Sequence, residues 1–433
     1  MSIMDDPTSA SDANQGPDGI QDPGTNLSLV PAGLPIGVGE GSAPANEKNI
    51  YESNGWFGIL ADVTNILAPT RQDKQGTPEQ QKRGEDPRDS WTVKVAVIDS
   101  GLIPDQHSRV FFKDFVSPKD EKGHGGDAAK EMKEIERDAK ETGGHGTTIV
   151  ALIRKVLPDV INDVEIYVAR AFEKTRYDDK PTDIEVERIV NAIDWVKSQN
   201  VDIIVMAWGF SQEEERIREA INGIPRSTIV FVAAGNDSRH ESVQFPARME
   251  LDDPQSPVTP IFATTSYNKN ARKLNPPRMK DRPNFAILGD DVKIELTLKN
   301  HNQSGTDKVV TKTISGTSYS AAIAAGLAAY LIHFSRQPIC RQPGRELDLE
   351  GKENMSAVFA EMSLGYADQG YLCISPGHLL RICKDRCRKD AIEWDSLRPK
   401  ERKKEMMRDV LRGIVDDPRT ILGKDFYFAC TIS

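Results

Sequence analysis

Short apolar segments alternate with amphipathic ones through the middle of the chain, and this alternation limits the fold more than any other feature. Residues 93–98, 201–207 and 228–234 are apolar runs of the length of a buried strand, rich in β-branched side chains. Between them, residues 182–199 repeat apolar side chains at helical spacing. Buried strands separated by helices predict an α/β fold, with a mostly parallel central sheet and helices on both faces.

Further elements are predicted on both sides of this region. Helical spacing predicts a short packed helix within 48–70 and an amphipathic helix over 400–415. Residues 292–313 alternate around a polar turn, which predicts a β-hairpin. Thr182 and Glu185 have the spacing of a capping box at the start of the helix predicted above.

Changes in composition divide the 433 residues into four parts. Residues 1–46 are polar and rich in Pro and Gly, so we expect them to be disordered. Residues 47–90 combine the short packed element with a polar linker, and residues 91–336 form the α/β domain. Residues 337–433 form a mainly helical C-terminal extension without recognisable chemistry.

The charge balance and the chain ends exclude several classes of protein. The 56 Lys and Arg residues against 66 Asp and Glu residues leave a net charge of -10, which argues against a nucleic-acid partner. No apolar stretch approaches the ~18 residues of a membrane span, so we expect no membrane partner. The acidic N-terminus lacks the apolar run of a secretory signal, and the five Cys form no disulfide framework. A cytoplasmic location is therefore expected.

Three segments place a reactive side chain between glycines. Asp99 ends the first predicted strand and precedes Ser100 and Gly101, and His145 lies in a Gly-Gly-His-Gly-Thr segment that leads into an apolar helical pattern. Ser318 ends a Ser-Gly-Thr-Ser segment that leads into a run of Ala and Gly. A hydroxyl at the start of a helix benefits from the helix dipole and from unpaired backbone N–H groups.

Two further segments complete the pattern. Asn236 follows an Ala-Ala-Gly sequence at the end of a predicted strand, and residues 206–209 read Met-Ala-Trp-Gly. With the chain order Asp, His, Ser, these five segments resemble the subtilisin-like serine proteases (subtilases, peptidase S8 family) over about residues 91–335.

The resemblance implies a serine endopeptidase that acts through an acyl-enzyme intermediate. Ser318 would attack the scissile carbonyl, His145 would accept and later donate the proton, and Asp99 would orient the imidazole. Asn236 would stabilise the oxyanion. The backbone of two segments would bind a protein or peptide substrate as an added strand; these residues are Ala207, Trp208, Gly209, Ala233, Ala234 and Gly235.

The chemistry implied by the family requires no cofactor and no metal. Structural calcium occurs in the family, but the sequence does not place a site for it. Trp208 is bulky enough to shape the substrate cleft, and Tyr319 and the residues after it lack the Pro that often follows the family's serine. A second hypothesis is a protease-fold sensor or effector module of an intracellular signalling assembly, with protein partners bound by the two flanks.

Alternatives to the main assignments stay open at this point. His124 is a second glycine-flanked histidine, although the following Thr and the apolar helix are missing. Ser315 and Ser320 are neighbouring candidates for the nucleophile, and Ser318 itself could be a helix cap. Asn236 could serve only as a turn residue.

Two features outside the motifs have a structural and a functional interpretation. Cys383 and Cys387 are four residues apart on a predicted helix, and without a second ligand pair they indicate buried or free thiols rather than a metal site. The charged segment 127–141 is interpreted as an exposed insertion, with a partner-binding helix as the alternative.

Overall fold

The structure is a computed structural model, and all the residues it describes lie within Ala45–Ser433. The described residues are 53–70, 73, 90–102, 109–116, 144–158, 160–173, 180–236, 242–264, 275–298, 308–363, 367–368, 370–397 and 400–417. Several predictions concern residues outside these ranges: the disorder of residues 1–46, most of the linker, His124 and the charged segment 127–141.

Nine of the eleven described strands form one sheet, in the order β10-β11-β7-β6-β5-β4-β1-β3-β2. All neighbours in this sheet are parallel except β10 and β11. The strands are β1 (Val93–Asp99), β2 (Val110–Asp114), β3 (Val164–Arg170), β4 (Ile203–Met206), β5 (Ile229–Ala233), β6 (Val258–Thr264), β7 (Phe285–Leu288), β8 (Val292–Leu298), β9 (Lys308–Ile314), β10 (Ala367–Asp368) and β11 (Tyr371–Cys373). The predicted parallel sheet is confirmed. The predicted hairpin is confirmed as the antiparallel pair β8–β9.

Nine helices are described, and they cover both faces of the sheet. They are α1 (Ser53–Leu67), α2 (His145–Val156), α3 (Asp183–Ser198), α4 (Glu215–Asn222), α5 (Met249–Asp252), α6 (Thr317–Ser335), α7 (Lys352–Ser363), α8 (Pro376–Lys389) and α9 (Lys400–Asp416). Alternate residues of β1 face opposite sides, as strand geometry requires. Val95 packs with α2 and α6, whereas Ile98 packs with α3 and α4.

Local sequence explains where several helices begin and which face they bury. The capping box at Thr182 and Glu185 starts α3, as the spacing predicts. Helix α1 confirms the helix predicted within 48–70, and α9 confirms the amphipathic helix near the C-terminus. The run of Ala and Gly lets α6 lie inside the core, where nearly all of it is buried. Helix α6 is therefore a core helix, although its length and composition would also suit a membrane span.

The C-terminal extension is mainly helical, as predicted, and it also completes the sheet. Strand β11 pairs in parallel with β7, with Leu372 opposite Phe285. Helices α7, α8 and α9 bury apolar side chains in the same core as α1 and α6. The sequence pattern did not predict this strand, because three residues are too few for a strand signal.

Candidate active site

The predicted site residues gather at the carboxyl edge of the sheet, where ligands bind in open α/β sheets. Asp99 is the last residue of β1, Ala207 follows β4, and Asn236 lies three residues beyond β5. In the sheet, β4 lies between β1 and β5. Two helices begin near this edge, α2 at His145 and α6 one residue before Ser318.

Asp99 and His145 are in direct contact. His145 Nδ1 lies 2.9 Å from Asp99 Oδ1 and 3.0 Å from Asp99 Oδ2, and the carboxylate is buried. Ser100 holds the same carboxylate, since its backbone N–H and its hydroxyl both donate to Asp99 Oδ1. A neutral imidazole whose Nδ1–H donates to a carboxylate presents Nε2 as an acceptor. This is the tautomer that a general base needs.

Ser318 is buried in the first turn of α6, and its Oγ donates to the carbonyl oxygen of Ala207 at 2.7 Å. A hydroxyl has one proton to donate, so in this conformation the proton is directed to Ala207 and not to His145. Rotation about the Cα–Cβ bond of Ser318 would redirect it. The next residue, Tyr319, reaches His145 directly, with their ring centroids 5.7 Å apart.

The two neighbouring serines have other partners. Ser315 Oγ accepts a hydrogen bond from the backbone N–H of Asp291 and is exposed. Ser320 is buried, and its Oγ donates to the carbonyl oxygen of Ile287 at 3.2 Å. Neither hydroxyl bonds to Ala207, the residue after β4, as the Ser318 hydroxyl does.

Asn236 is held against the start of α6. Its Oδ1 accepts from the backbone N–H of Thr317 at 2.7 Å and lies 3.0 Å from Thr317 Oγ1. Because Oδ1 is engaged by α6, the Nδ2 end of the amide is the donor that remains for a ligand. Thr317, which sequence reasoning did not assign, is fully buried and also contacts the backbone of Gly235. Its position at the first residue of a helix, next to the candidate serine, was the available signal.

The two predicted substrate-binding segments differ in how their backbones are used. The N–H of Ala234 donates to Ile261 and its carbonyl accepts from Gln244, both at 3.1 Å. The N–H of Gly235 donates to Thr317 Oγ1. Ala233 is the last residue of β5. Internal bonds therefore engage the N–H groups of Ala234 and Gly235, so these two groups are not available to pair with an added strand.

Trp208 points into the protein instead of filling the cleft. Its Nε1 donates to the carbonyl oxygen of Ile98 at 2.9 Å, and its ring packs against Phe172 and Phe210. Only 8% of Trp208 is exposed. The residue thereby anchors the segment 207–209 to β1.

Gln244 lies between the two predicted segments, and the sequence had not indicated it. A Cβ added at Gly209 would lie 2.9 Å from Gln244 Cβ, and one added at Gly235 would lie 3.3 Å from Gln244 Cγ. The Gln244 side chain therefore occupies the space beside both glycines. No short sequence pattern marks this residue, because the contact depends on how the segments around Gly209 and Gln244, 35 residues apart, meet in space.

The cysteines of α8 are buried thiols. Cys383 and Cys387 are both free, and Cys383 Sγ lies 3.5 Å from the sulfur of Met407. Burial raises the pKa of the Cys383 thiol to about 12. Within the described ranges, no group of three His, Cys, Asp or Glu side chains could hold a metal ion.

Comparison with known proteins gives consistent matches over the α/β domain. The model of the Subtilase family, Peptidase S8, matches residues 91–342. The minor extracellular protease Epr of Bacillus subtilis is 24% identical over 285 residues, which are 64% of this chain and 37% of that protein. A thermostable alkaline protease of Halalkalibacterium halodurans is 22% identical over 194 residues, which are 44% of this chain and 47% of that protein. This chain thus matches less than half the length of each of these relatives.

Among solved structures, a cold adapted subtilisin-like serine proteinase is similar to this chain. The similarity has a TM-score of 0.43 and 20% sequence identity, and it covers 66% of this chain and 88% of that chain.

Proposed function

This chain belongs to the subtilase family, and on that basis we propose that it is a serine endopeptidase with Ser318 as nucleophile and His145 as general base. Asp99 orients the imidazole. The observation that carries the proposal is the contact between His145 Nδ1 and the buried Asp99 carboxylate, with Ser318 in the first turn of a helix at the same edge of the sheet. Protein or peptide is the substrate.

The reaction begins when the Ser318 hydroxyl turns from Ala207 towards His145. His145 Nε2 takes the hydroxyl proton while Oγ bonds to the substrate carbonyl carbon, and the carbonyl oxygen becomes an oxyanion. The tetrahedral intermediate then breaks its C–N bond, and His145 gives the proton to the leaving amine. Water hydrolyses the resulting acyl-enzyme by the same two steps. None of these reaction steps needs a cofactor or a metal ion.

Two N–H groups would stabilise the oxyanion. One is the backbone N–H of Ser318 in the first turn of α6, and the other is Asn236 Nδ2, whose amide is oriented by the hydrogen bond from Thr317 to Oδ1. Removing such a donor costs about 10²–10³ in kcat, a range established on a subtilisin.

An extended substrate would pair with the backbone of residues 207–209, as an added strand. The N–H of a substrate residue would compete with the Ser318 hydroxyl for the carbonyl oxygen of Ala207. Residues 233–235 would form the opposite wall, because the N–H groups of Ala234 and Gly235 are engaged inside the protein.

A fluorophosphonate probe tests this proposal, because it reacts covalently only with an activated serine. We expect the full chain to be labelled once, at Ser318, and to cleave an unstructured protein at mildly alkaline pH. Ser318→Ala should abolish both signals, and Asn236→Ala should lower kcat by about 10²–10³. Ser315→Ala is the matched control, and it should keep full activity. Failure of the folded protein to label would contradict the proposal.

Three expectations remain predictions beside this proposal. The described residues and the comparisons lend no support to a sensor or effector module. The cytoplasmic location also stays a prediction, and one relative is named an extracellular protease. Structural calcium stays unassigned.

A further inference from the structure

Tyr319 joins the two helices that carry the candidate nucleophile and base. It follows Ser318 in α6, and its half-buried ring is 5.7 Å from the imidazole of His145 in α2, with the ring planes tilted by 45°. We infer that Tyr319 is a positioning residue, which packs beside the His145 imidazole, limits its tilt and favours its protonated form during catalysis. This inference rests on the proposed function.

The hydrogen bond to Asp99 controls only one edge of the imidazole. A bond through Nδ1 sets the direction of the ring but leaves it free to tilt about the line between Nδ1 and the carboxylate. A neighbouring ring whose centroid is 5.7 Å away, as that of Tyr319 is, limits this tilt. Because Tyr319 is adjacent to Ser318 in the same helical turn, it relates the tilt of the base directly to the position of the nucleophile.

The two helices that carry this contact are closely packed further along their length. Helices α2 and α6 approach so closely that a Cβ added at Gly326 would lie 2.7 Å from Val156 Cβ. The two helices therefore cannot slide together further, and the separation of His145 and Tyr319 is determined by packing. If a smaller side chain replaced Tyr319, the helices could not move closer to compensate, and a gap would remain beside His145.

The second effect of Tyr319 is electrostatic, and it acts on the protonated imidazole of His145. When His145 takes the Ser318 proton, the imidazole becomes a cation, and the negative face of an aromatic ring attracts a cation within about 6 Å of the ring centroid. Other elements bring charge to this region as well. Asp99 of β1 faces His145 directly, and Arg170 of β3 is paired with Asp114 of β2 beside Gly101. None of these groups changes when Tyr319 is replaced.

The test compares Tyr319→Leu with Tyr319→Phe in the full chain, using a peptide substrate across a range of pH. In Tyr319→Leu we expect kcat to fall about two- to thirtyfold with little change in KM. We also expect the acid limb of the kcat/KM profile to move to lower pH by roughly 0.4 to 1.5 units, because the protonated imidazole loses the ring that stabilises it. Tyr319→Phe keeps the ring and should match the wild-type profile.

Two outcomes would overturn the inference. The first is a Tyr319→Leu profile that coincides with the wild-type profile in both kcat and pH. The second is an equal loss in Tyr319→Phe, which would assign the effect to the hydroxyl group. Tyr330→Phe controls for general stability, because the Tyr330 hydroxyl donates to Thr64 inside the core. This control should lower the melting temperature without moving the pH profile.

The inference and the proposed function fail differently. If the wild-type chain is not labelled by the fluorophosphonate, the proposed function fails. If it is labelled at Ser318 but Tyr319→Leu behaves as the wild type, only the role of Tyr319 fails.

Discussion

Gly146 shows how one residue brings two parts of the site together. A Cβ added at this position would lie 2.1 Å from the carbonyl oxygen of Gly101, much closer than atoms can approach. The start of α2 can therefore contact the loop after β1 only because residue 146 has no side chain. This approach places His145 within hydrogen-bonding distance of Asp99.

Gln244 is the side chain that we expect to limit what the cleft accepts. It fills the space beside Gly209 and Gly235, which belong to the two segments that we propose border the substrate. In Gln244→Gly this space opens, so cleavage next to large side chains should increase relative to small ones by about tenfold or more. A peptide-library cleavage profile measures this ratio.

Gln255→Gly is the control for this prediction, because the Gln255 side chain contacts Arg226 on the surface. It should leave the cleavage profile unchanged. An unaltered preference in Gln244→Gly, with Ser318 still reactive, would show that Gln244 does not border the substrate.

At the scale of whole elements, the separation of α2 and α6 matters most, because these helices carry His145 and Ser318. Gly326→Ala would place a methyl group 2.7 Å from Val156 Cβ, and the helices would have to move apart. We expect a loss of about 1–3 kcal/mol in the free energy of unfolding and a lower kcat. Urea unfolding and a peptidase assay measure the two effects.

Gly58→Ala is the matched control in α1, where nothing lies within 4 Å of the added Cβ. Alanine has the higher helix propensity, so this change should stabilise the protein by about 0.5–1 kcal/mol. If Gly326→Ala were equally stabilising, the close packing of the two helices would be refuted.

Helix α8 carries a group that links stability to pH. Burial, assisted by the neighbouring Arg381 guanidinium, lowers the pKa of His378 to about 4. The unfolded chain takes up a proton near pH 6.5, whereas the folded chain keeps His378 neutral. Above pH 6.5 His378 is neutral in both states, and the stability that its packing provides is fully present. As the pH falls from 6.5 towards 4, protonation favours the unfolded chain, and the free energy of unfolding decreases by up to about 1.4 kcal/mol per pH unit.

Urea unfolding at pH 7 and pH 5 tests this link with His378→Gln. The variant should lose stability at pH 7, where a packed side chain and a contact with Arg381 are removed. At pH 5 the difference from wild type should shrink or reverse, because glutamine does not titrate. Parallel pH dependence of the two proteins would contradict the assignment.

At the scale of the whole molecule, the C-terminal extension is part of the fold. Lys404 of α9 is buried and donates to Asp73 and to Gln337. Burial alone would raise the pKa of Asp73, but its hydrogen bonds with Lys404 and Thr70 outweigh that effect and hold the pKa below its usual value. This ion pair connects the chain before the sheet with the chain after it.

We expect a chain that ends at residue 336 not to fold stably, because it lacks β11 and the helices that cover α1 and α6. Circular dichroism melting and size-exclusion chromatography would show aggregation or a much lower melting temperature. A well-folded, monomeric product would instead support an independent domain over residues 91–336.

A single substitution tests the same connection with the chain intact. Lys404→Met removes the buried partner of a partly buried ion pair and should cost up to about 3–5 kcal/mol. Lys384→Met on the exposed side of α8 should have an effect within about 0.5 kcal/mol. Similar effects of the two variants would mean that the buried pair contributes little.

The sequence alone determined the parallel sheet, most of its helices and the five motif segments. These depend on residue spacing, on capping pairs such as Thr182 and Glu185, and on near neighbours along the chain. The tertiary structure alone decided that Ser318 donates to Ala207, that Gln244 occupies the space beside Gly209 and Gly235, and that β11 joins the sheet. Such contacts join residues far apart in the chain, so they depend on how closely packed elements meet and not on local pattern.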